Sequence, residues 1–371
     1  MERLPLEFDE DAGRREQGGG PCGARARSAP QARQERERRR EDGPRDGGDE
    51  KEPRRGKNVE ELRIETQQQI ARREAEERAC QREVVRRSTL AHNPRPASLA
   101  FFPMAVNESL RVLRTIHYDE RHYSLFLSAG TIGPGTRPGH FAMIQAGEGL
   151  RPYLRRAFSI ADVTTVAGVP ALEFVVRIVG VGTAALARFG EGTPLPVLGP
   201  LGVPFPIDDL LPSDRVALVA GGIGLAPLVL LARTFAARGI TADLFYGGRN
   251  ENDILKRADF ERVLGSHRCR YATDDGSLGR RGPVTELLTR ALAGGARFRR
   301  VYACGPVTMF RALARLLADA KLEGSFAMES EMACGFGVCL GCVVPMVDGR
   351  FATICKEGPC VPPTGIDWAR L

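Results

Sequence analysis

Four cysteines near the C-terminus have the spacing of ligands to an iron–sulfur cluster. Cys334, Cys339, Cys342 and Cys355 follow the pattern C-x4-C-x2-C, then twelve residues and a last Cys. Glycines between the first three allow the backbone to turn its N–H groups toward the sulfurs, which helps to set the reduction potential. Zinc sites more often contain two C-x2-C pairs, and a disulfide framework needs an exported chain. The spacing therefore predicts a [2Fe-2S] cluster, with zinc or unligated thiols as the alternatives.

A second chemical motif lies in the middle of the chain, where an apolar run ends in glycines. Residues 216–220 are typical of a buried parallel strand, and they lead into the segment 221–227. Glycines here would let a dinucleotide approach the backbone at the start of a helix. The candidate binding residues are Gly222, Gly224, Ala226 and Pro227. The segment lacks the common G-x-G-x-x-G fingerprint, so by itself an ordinary strand-to-helix turn explains it equally well.

Further strand patterns downstream favour the nucleotide-binding interpretation. They cover residues 242–249, 268–273 and 301–306, and a helix is expected from about residue 307 to 317. The last strand ends in the candidate residues Cys304, Gly305 and Pro306, although Cys304 is equally explained as a small buried hydrophobe. We expect NAD as the nucleotide. NADP is the weaker alternative, because Arg249 would suit a 2′-phosphate but also a ribose or solvent.

The segment before the nucleotide motif has the patterning of a small antiparallel barrel. Short strands between residues 110 and 144 are separated by Gly and Pro. Two segments of chemical interest follow, 156–160 and 175–183. An arginine can pair with a pyrophosphate, an aromatic ring can cover a flavin, and a serine can hydrogen-bond near its reactive nitrogen. The candidate flavin-binding residues are Arg156, Ala157, Phe158, Ser159, Val175, Val176, Arg177, Gly182 and Thr183. Gly182 and Thr183 would offer backbone amides and a hydroxyl to the phosphates. Each segment alone is also explained as a strand with a surface arginine.

The N-terminal third differs sharply in composition from the rest. Residues 1–100 hold 23 of the 53 Lys+Arg and 21 of the 46 Asp+Glu, and Phe8 is their only aromatic residue. Such a segment buries little apolar surface, so we expect a disordered, charged extension. Met104 directly precedes the first strand pattern, which raises the hypothesis that the biological start is Met104. Peptides from residues 1–103 in the native protein would overturn it.

Charge and cysteine content bear on the binding partners and the cellular compartment of the protein. The remaining 271 residues carry a surplus of five positive charges spread along the sequence, which does not indicate nucleic acid binding. Nine cysteines and no secretory signal favour a reducing cytoplasm. The longest uncharged run, 216–232, is interrupted by glycines and a proline, so no membrane span is expected.

The order of the motifs resembles the ferredoxin:NADP reductase superfamily. Pro138-Gly139-His140-Phe141 precedes the flavin segments and Gly199-Pro200-Leu201-Gly202 follows them. The resemblance implies a barrel that binds FAD and a Cys-Gly-Pro turn beside the nicotinamide. The family usually has Pro at position 157, and Ala157 should loosen that turn slightly.

Segments 334–345 and 354–359 narrow the resemblance to the electron transfer subunits of bacterial dihydroorotate dehydrogenase. The resemblance implies a partner subunit with FMN, in a heterotetramer of two of each chain. Electrons would pass through the [2Fe-2S] cluster and FAD to NAD, in pyrimidine biosynthesis. Cys360 stands where the family has an apolar residue, and is either a substitute ligand or a bystander.

The sequence thus predicts four regions. These are a disordered extension (1–103), an FAD-binding barrel (104–208), a Rossmann-like NAD-binding domain (209–325) and a small [2Fe-2S] lobe (326–371). Two other functions stay open: a related FAD and iron–sulfur subunit of a glutamate synthase, hydrogenase or transhydrogenase-like complex, and a non-catalytic cluster-binding sensor or scaffold. Glu329 and Glu331 are interpreted as surface carboxylates on a loop.

Overall fold

A computed structural model describes residues 105–147 and 152–371, and these residues lie in one compact unit. The expected extension over residues 1–103 and the proposed start at Met104 lie outside the described residues. Within the described part, no helix is both long and apolar enough to cross a membrane.

The first sheet is antiparallel and barrel-like, as the sequence predicted. Its strands are β1 Val106–His117, β2 His122–Ser128, β3 Phe141–Ile144, β4 Arg156–Ser159, β5 Asp162–Val166, β6 Val169–Arg177 and β7 Pro194–Leu201, with helix α1 Val181–Leu186 after β6. They pair in the order β4-β3-β7-β1-β2-β6-β5. On β1, Leu110 and Val112 point into the apolar core while Arg111 between them is exposed. This period of two is what a strand buried on one face requires.

The second sheet is parallel except for its last strand, and helices cover both faces. Its strands are β8 Arg215–Gly221, β9 Thr241–Gly248, β10 Cys269–Thr273, β11 Arg280–Arg281, β12 Arg300–Cys304, β13 Glu323–Ala327 and, from the C-terminal lobe, β16 Cys360–Val361. The helices are α2 Ala226–Ala237, α3 Arg257–Leu264, α4 Val284–Ala293 and α5 Val307–Asp319. On β8, Leu218 faces the core shared with α2 and α3, and Val219 faces the core shared with α4 and α5.

The strand order places a ligand crevice at the centre of this sheet. The order is β11-β10-β9-β8-β12-β13-β16, so the chain leaves β8 toward β9 and later returns to the other side of β8 with β12. Such a reversal leaves a crevice outside the carboxyl ends of the two central strands, and ligands bind there in open α/β sheets. The turns after β8 and β12 are the two predicted nucleotide motifs.

The C-terminal lobe is small and is tied to the second sheet. Strands β14 Val343–Pro345 and β15 Phe351–Thr353 form a hairpin around Asp348-Gly349, and helix α6 Ile354–Glu357 follows. Strand β16 pairs antiparallel with β13 through Phe326 with Val361 and Ala327 with Cys360. The pairing fixes the lobe to the edge of the nucleotide-binding sheet.

A buried ion pair joins the barrel to the second sheet's helical layer. Lys256, just before α3, contacts Glu173 on β6 at 2.7 Å, and the two side chains are only 9% and 3% exposed. Burial alone lowers the pKa of Lys256, but the Glu173 carboxylate outweighs it and the net shift is upward. The lysine therefore stays charged, and the pair holds the two layers in register.

Replacing Lys256 with methionine is expected to lower the free energy of unfolding by about 3 kcal/mol, because it leaves the Glu173 carboxylate buried without a counter-ion. Chemical denaturation followed by circular dichroism measures the loss. Arg262 forms an exposed pair with Asp259, and Arg262→Met should cost less than about 1 kcal/mol. Equal losses in the two variants would contradict a special role for the buried pair.

Candidate functional site

The four motif cysteines form two pairs linked by backbone N–H donors. Cys334 Sγ accepts the N–H groups of Phe336 and Cys339, each at 3.5 Å, and Cys342 Sγ accepts the N–H of Cys355 at 3.4 Å. Burial raises the pKa of Cys334, but the N–H groups of Cys339 and Phe336 outweigh it and lower the pKa to about 6. The lobe therefore favours a thiolate at its first ligand position.

The donor set suits a binuclear cluster. Among residues 105–147 and 152–371, no three His, Cys, Asp or Glu side chains converge as ligands of a single ion. Hydrogen bonds instead pair Cys334 with Cys339 and Cys342 with Cys355. Four thiols in two such pairs fit a [2Fe-2S] cluster, in which each iron takes two protein ligands.

The cysteine loops pack directly on the barrel. Cys342 and Cys355 share a small apolar cluster with Phe141, Met143 and Leu201, and Ala157 of the predicted flavin segment packs against it. Gly335 has a φ of +83°, and a Cβ there would lie 2.5 Å from Met143 Cγ. A side chain at this position would push the loop off β3, so glycine is what allows the close approach.

The two predicted flavin segments also meet each other. A Cβ on Gly182 would lie 2.7 Å from Arg156 Nε, so the guanidinium of Arg156 lies over the turn that follows β6. Arg155 Nη1 and Arg177 Nε are buried without a hydrogen-bond partner. Buried donors normally have a hydrogen-bond partner, so both arginines have a donor left for an anionic group such as a phosphate. Arg155 was missed by the sequence analysis, because a second arginine next to Arg156 has no distinguishing pattern.

Some predicted flavin residues have other tasks. The side chains of Val175 and Val176 are buried in apolar cores, so only their backbone can face a ligand. Thr183 Oγ1 accepts the N–H groups of Val179 and Gly180 at 2.9 and 3.2 Å. Its hydroxyl holds its own turn and is not free for a phosphate, contrary to our expectation. Phe158 and Ser159 on β4 are half-buried.

The nucleotide motifs converge at the crevice predicted from the strand order. Cys304 pairs with Ala220 across β12 and β8, and a Cβ on Gly224 would lie 2.3 Å from the Cys304 carbonyl oxygen. Gly222 has a φ of +53°, and a Cβ there would meet nothing within 4 Å. These glycines, with Gly305, Pro306 and the barrel residues His122 and Arg177, line a cleft of about 630 Å³. Ala226 and Pro227 are buried at the start of α2, so they position the helix.

The position of Glu329 in the nucleotide cleft was not predicted from the sequence. Glu329 as a whole residue is exposed, as expected, but it lines the nucleotide cleft, and the Cys304 thiol donates to its Oε1 at 3.8 Å. Desolvation by the cleft walls raises the pKa of Glu329, and burial raises that of Cys304 well above its usual value. The only available signal was its position five residues before Cys334.

The Arg249 side chain is already paired with an acidic residue of the same chain. Its Nε and Nη2 contact the two oxygens of Asp253 at 2.8 and 3.1 Å, and both residues line the cleft. The fork of the guanidinium is thus already paired with a carboxylate. An acidic residue beside it favours the free ribose hydroxyls of NAD over the 2′-phosphate of NADP.

Comparisons with known proteins agree with this geometry. An oxidoreductase NAD-binding domain matches residues 218–315, and the iron–sulfur cluster binding domain of dihydroorotate dehydrogenase B matches residues 329–366. The electron transfer subunit of dihydroorotate dehydrogenase B (NAD(+)) from Desulforamulus reducens is 37% identical over 62% of this chain and 87% of that protein. That from Geobacillus thermodenitrificans is 34% identical over 69% of this chain and 96% of that protein. The chain belongs to this family.

Structural similarity extends to the arrangement of domains. One similar solved structure is that of the NADH-dependent reduced ferredoxin-NADP oxidoreductase, described for flavin-based electron bifurcation. Its TM-score is 0.62 and its sequence identity is 25%. The alignment covers 72% of this chain and 91% of that chain. This chain is thus a flavin- and NAD-linked oxidoreductase subunit with an iron–sulfur lobe, as the motif order predicted.

Cys360 lies apart from the paired ligands of this electron transfer subunit. Its Sγ faces the Gly139 carbonyl at 3.9 Å, and the side chain is buried in the core of the nucleotide sheet. We expect Cys360→Ala to leave the iron content unchanged and to cost about 1 kcal/mol of stability from lost packing. Iron analysis of this variant beside Cys355→Ala, which should lose the cluster, checks the assignment. Iron loss in Cys360→Ala would make Cys360 a ligand.

Proposed function

We propose that this chain connects an FMN-containing dihydroorotate dehydrogenase catalytic subunit to NAD in pyrimidine biosynthesis. It would receive electrons at the C-terminal lobe and deliver them at the cleft between β8 and β12. The catalytic partner follows from membership of the family. The FMN, the two-plus-two stoichiometry and a cytoplasmic location, favoured by the need for reduced thiols, are parts of the proposal.

One observation supports this electron path most directly: the cysteine loops and the flavin segment share a single apolar cluster. Cys342 and Cys355 are buried against Phe141 and Met143 on β3, and Ala157 on the neighbouring β4 packs on the same cluster. This packing supports direct electron exchange between the lobe and the barrel, because residues that would hold the cluster contact the strands that carry the flavin segment.

Different residues of the chain would bind different parts of the FAD. Arg156 and Arg177 would pair with the flavin pyrophosphate, Ser159 would hydrogen-bond the ring, and Gly182, which has no side chain, leaves room for the Arg156 guanidinium. When bound, FAD exchanges single electrons with an iron–sulfur cluster and a hydride with nicotinamide, which links the two kinds of carrier. The barrel's part is to hold the ring beside the lobe and to exclude water.

At the nucleotide end, Gly222 would let the dinucleotide approach the backbone, and Cys304, Gly305 and Pro306 would form the wall beside the nicotinamide. Glu329 holds the Cys304 thiol in place by accepting its hydrogen bond. Because the pKa of this carboxyl is raised, it is also placed to hold a proton near the site.

The lobe offers a surface for the partner. Phe336, Val338 and Leu340 lie between the ligand cysteines and are 53%, 73% and 61% exposed. Exposed apolar side chains close together mark interaction sites, and these three lie in the loop that carries the first three ligand cysteines. We propose that the catalytic subunit docks here.

Two experiments test the proposal. In the first, the full chain purified anaerobically should contain one FAD and two iron atoms, and NADH should bleach its flavin absorption; a scaffold would keep the cluster but not respond to NADH.

In the second, Val338→Asp should weaken binding of the catalytic subunit about tenfold or more with unchanged iron content. Leu211→Asp, at an apolar residue that is 61% exposed but outside the lobe, is the control. Equal binding by both variants would rule out the lobe as the docking surface.

A further inference from the structure

A second large cavity lies away from the redox cleft. It is bounded by the C-terminal half of α5, by β13 and by the chain segment from Cys360 to Ala369, and its volume is about 1000 Å³. None of its lining residues belongs to the nucleotide cleft. Helix α5 is shared, because its first turns line the cleft and its later turns line the cavity.

The cavity has an excess of positive charge. Arg311, Arg315 and Lys321 line it, and none of them forms an ion pair with a carboxylate in the described part of the chain. Its other charged residues, Arg300 and Glu323, pair with each other at 2.7 Å. Three cations around one cavity without a counter-ion favour an anion with more than one negative charge.

Two buried polar atoms in the cavity wall have no partner. Ser325 is 2% exposed and its Oγ makes no hydrogen bond, and Arg311 Nε is likewise buried and unpaired. Native proteins leave few such groups, because each costs the free energy of its lost hydration. Both residues line the cavity, so a small shift of either side chain would bring its donor to an acceptor oxygen of a ligand.

The remaining wall is apolar and rigid. Leu317, Ile366 and Trp368 line it. The indole is held by its Nε1, which donates to the Pro363 carbonyl at 2.9 Å, and its ring packs near Phe310 and Phe326. A fixed aromatic beside aliphatic side chains suits a flat ring on the ligand.

We propose that this cavity binds a nucleoside monophosphate or a phosphorylated molecule of similar size. The phosphate would contact Arg311, Arg315 and Lys321, and the ring would lie against Trp368. The volume is at the upper end of the range for small-molecule sites, which accommodates a mononucleotide. The proposal stands apart from the redox function, since the cavity shares no lining residue with the nucleotide cleft.

Trp368 provides the test, because it is the only tryptophan in the chain. Its fluorescence is recorded on the full chain, loaded with FAD and iron, during titration with UMP, AMP, uridine and inorganic phosphate. We expect a saturable change with at least one nucleotide, and with uridine and phosphate only at concentrations at least about tenfold higher. A preference for UMP or AMP distinguishes a pyrimidine from a purine ligand.

Variants locate the site. Arg311→Gln and Arg315→Gln should each weaken nucleotide binding about tenfold. Arg290→Gln, an equal change of charge at an exposed α4 residue outside the cavity, should leave it unchanged. Arg315 is exposed, so its variant is expected to fold. The proposal is overturned if neither nucleotide gives a saturable change up to about 10 mM, if uridine or phosphate alone binds as tightly, or if Arg315→Gln binds normally.

Discussion

Replacing Cys342 with serine is expected to reduce dihydroorotate-dependent reduction of NAD about a thousandfold or more in the complex, and to leave NADH oxidation by ferricyanide within about twofold. A serine hydroxyl does not ionise near neutral pH, so it cannot replace the thiolate ligand. Cys342 is 1% exposed and lies where the lobe meets the barrel. Losing the Cys342 ligand removes the cluster through which electrons would enter the chain, while the residues that would bind flavin and nucleotide stay in place.

The matched control is Cys269→Ser. Cys269 is also a buried free cysteine, but it lies at the start of β10 and far along the chain from the motif. Iron content and the visible spectrum are measured with both activities. Full dihydroorotate-dependent activity in a cluster-free Cys342→Ser protein would contradict transfer through the lobe.

Replacing Gly224 with alanine is expected to weaken NAD binding about a hundredfold. The added Cβ would lie 2.3 Å from the Cys304 carbonyl oxygen and 2.7 Å from the Gly305 backbone nitrogen. Both obstacles are backbone atoms, so the two turns of the cleft must move apart, at a cost of about 3 kcal/mol. Calorimetric titration with NAD measures the affinity, and thermal unfolding reports whether the domain remains folded.

Gly190→Ala is the control for this change, because a Cβ there would meet nothing within 4 Å. It should alter neither the affinity nor the thermal midpoint. If Gly224→Ala binds NAD within about threefold of the parent, the close packing of the two turns is not what shapes the site.

Much of the fold was predictable because local sequence patterns specify it. The continuous apolar run of β8, the glycines that end it and the Cys-Gly-Pro turn after β12 predicted the nucleotide-binding sheet. These elements carry their own signals, because apolar runs and turn residues reflect local conformation.

The parts that were missed depend on contacts between distant segments. Strand β7 contains two prolines at its start, which argue against a strand, yet it pairs with both β1 and β3. Strand β16 has two residues and forms only because β13 offers an edge. Glu329 faces the nucleotide cleft because the chain must pass from β13 to the cysteine loop. No local pattern encodes such placements.

The most direct test of the electron path is an anaerobic affinity purification from the native cell, with absorption spectra recorded before and after adding dihydroorotate. We expect an FMN-containing subunit to copurify, and dihydroorotate to bleach both the flavin and the iron–sulfur bands before any NAD is added. If only NADH bleaches them and a different enzyme copurifies, the chain serves another complex and the pyrimidine assignment is wrong.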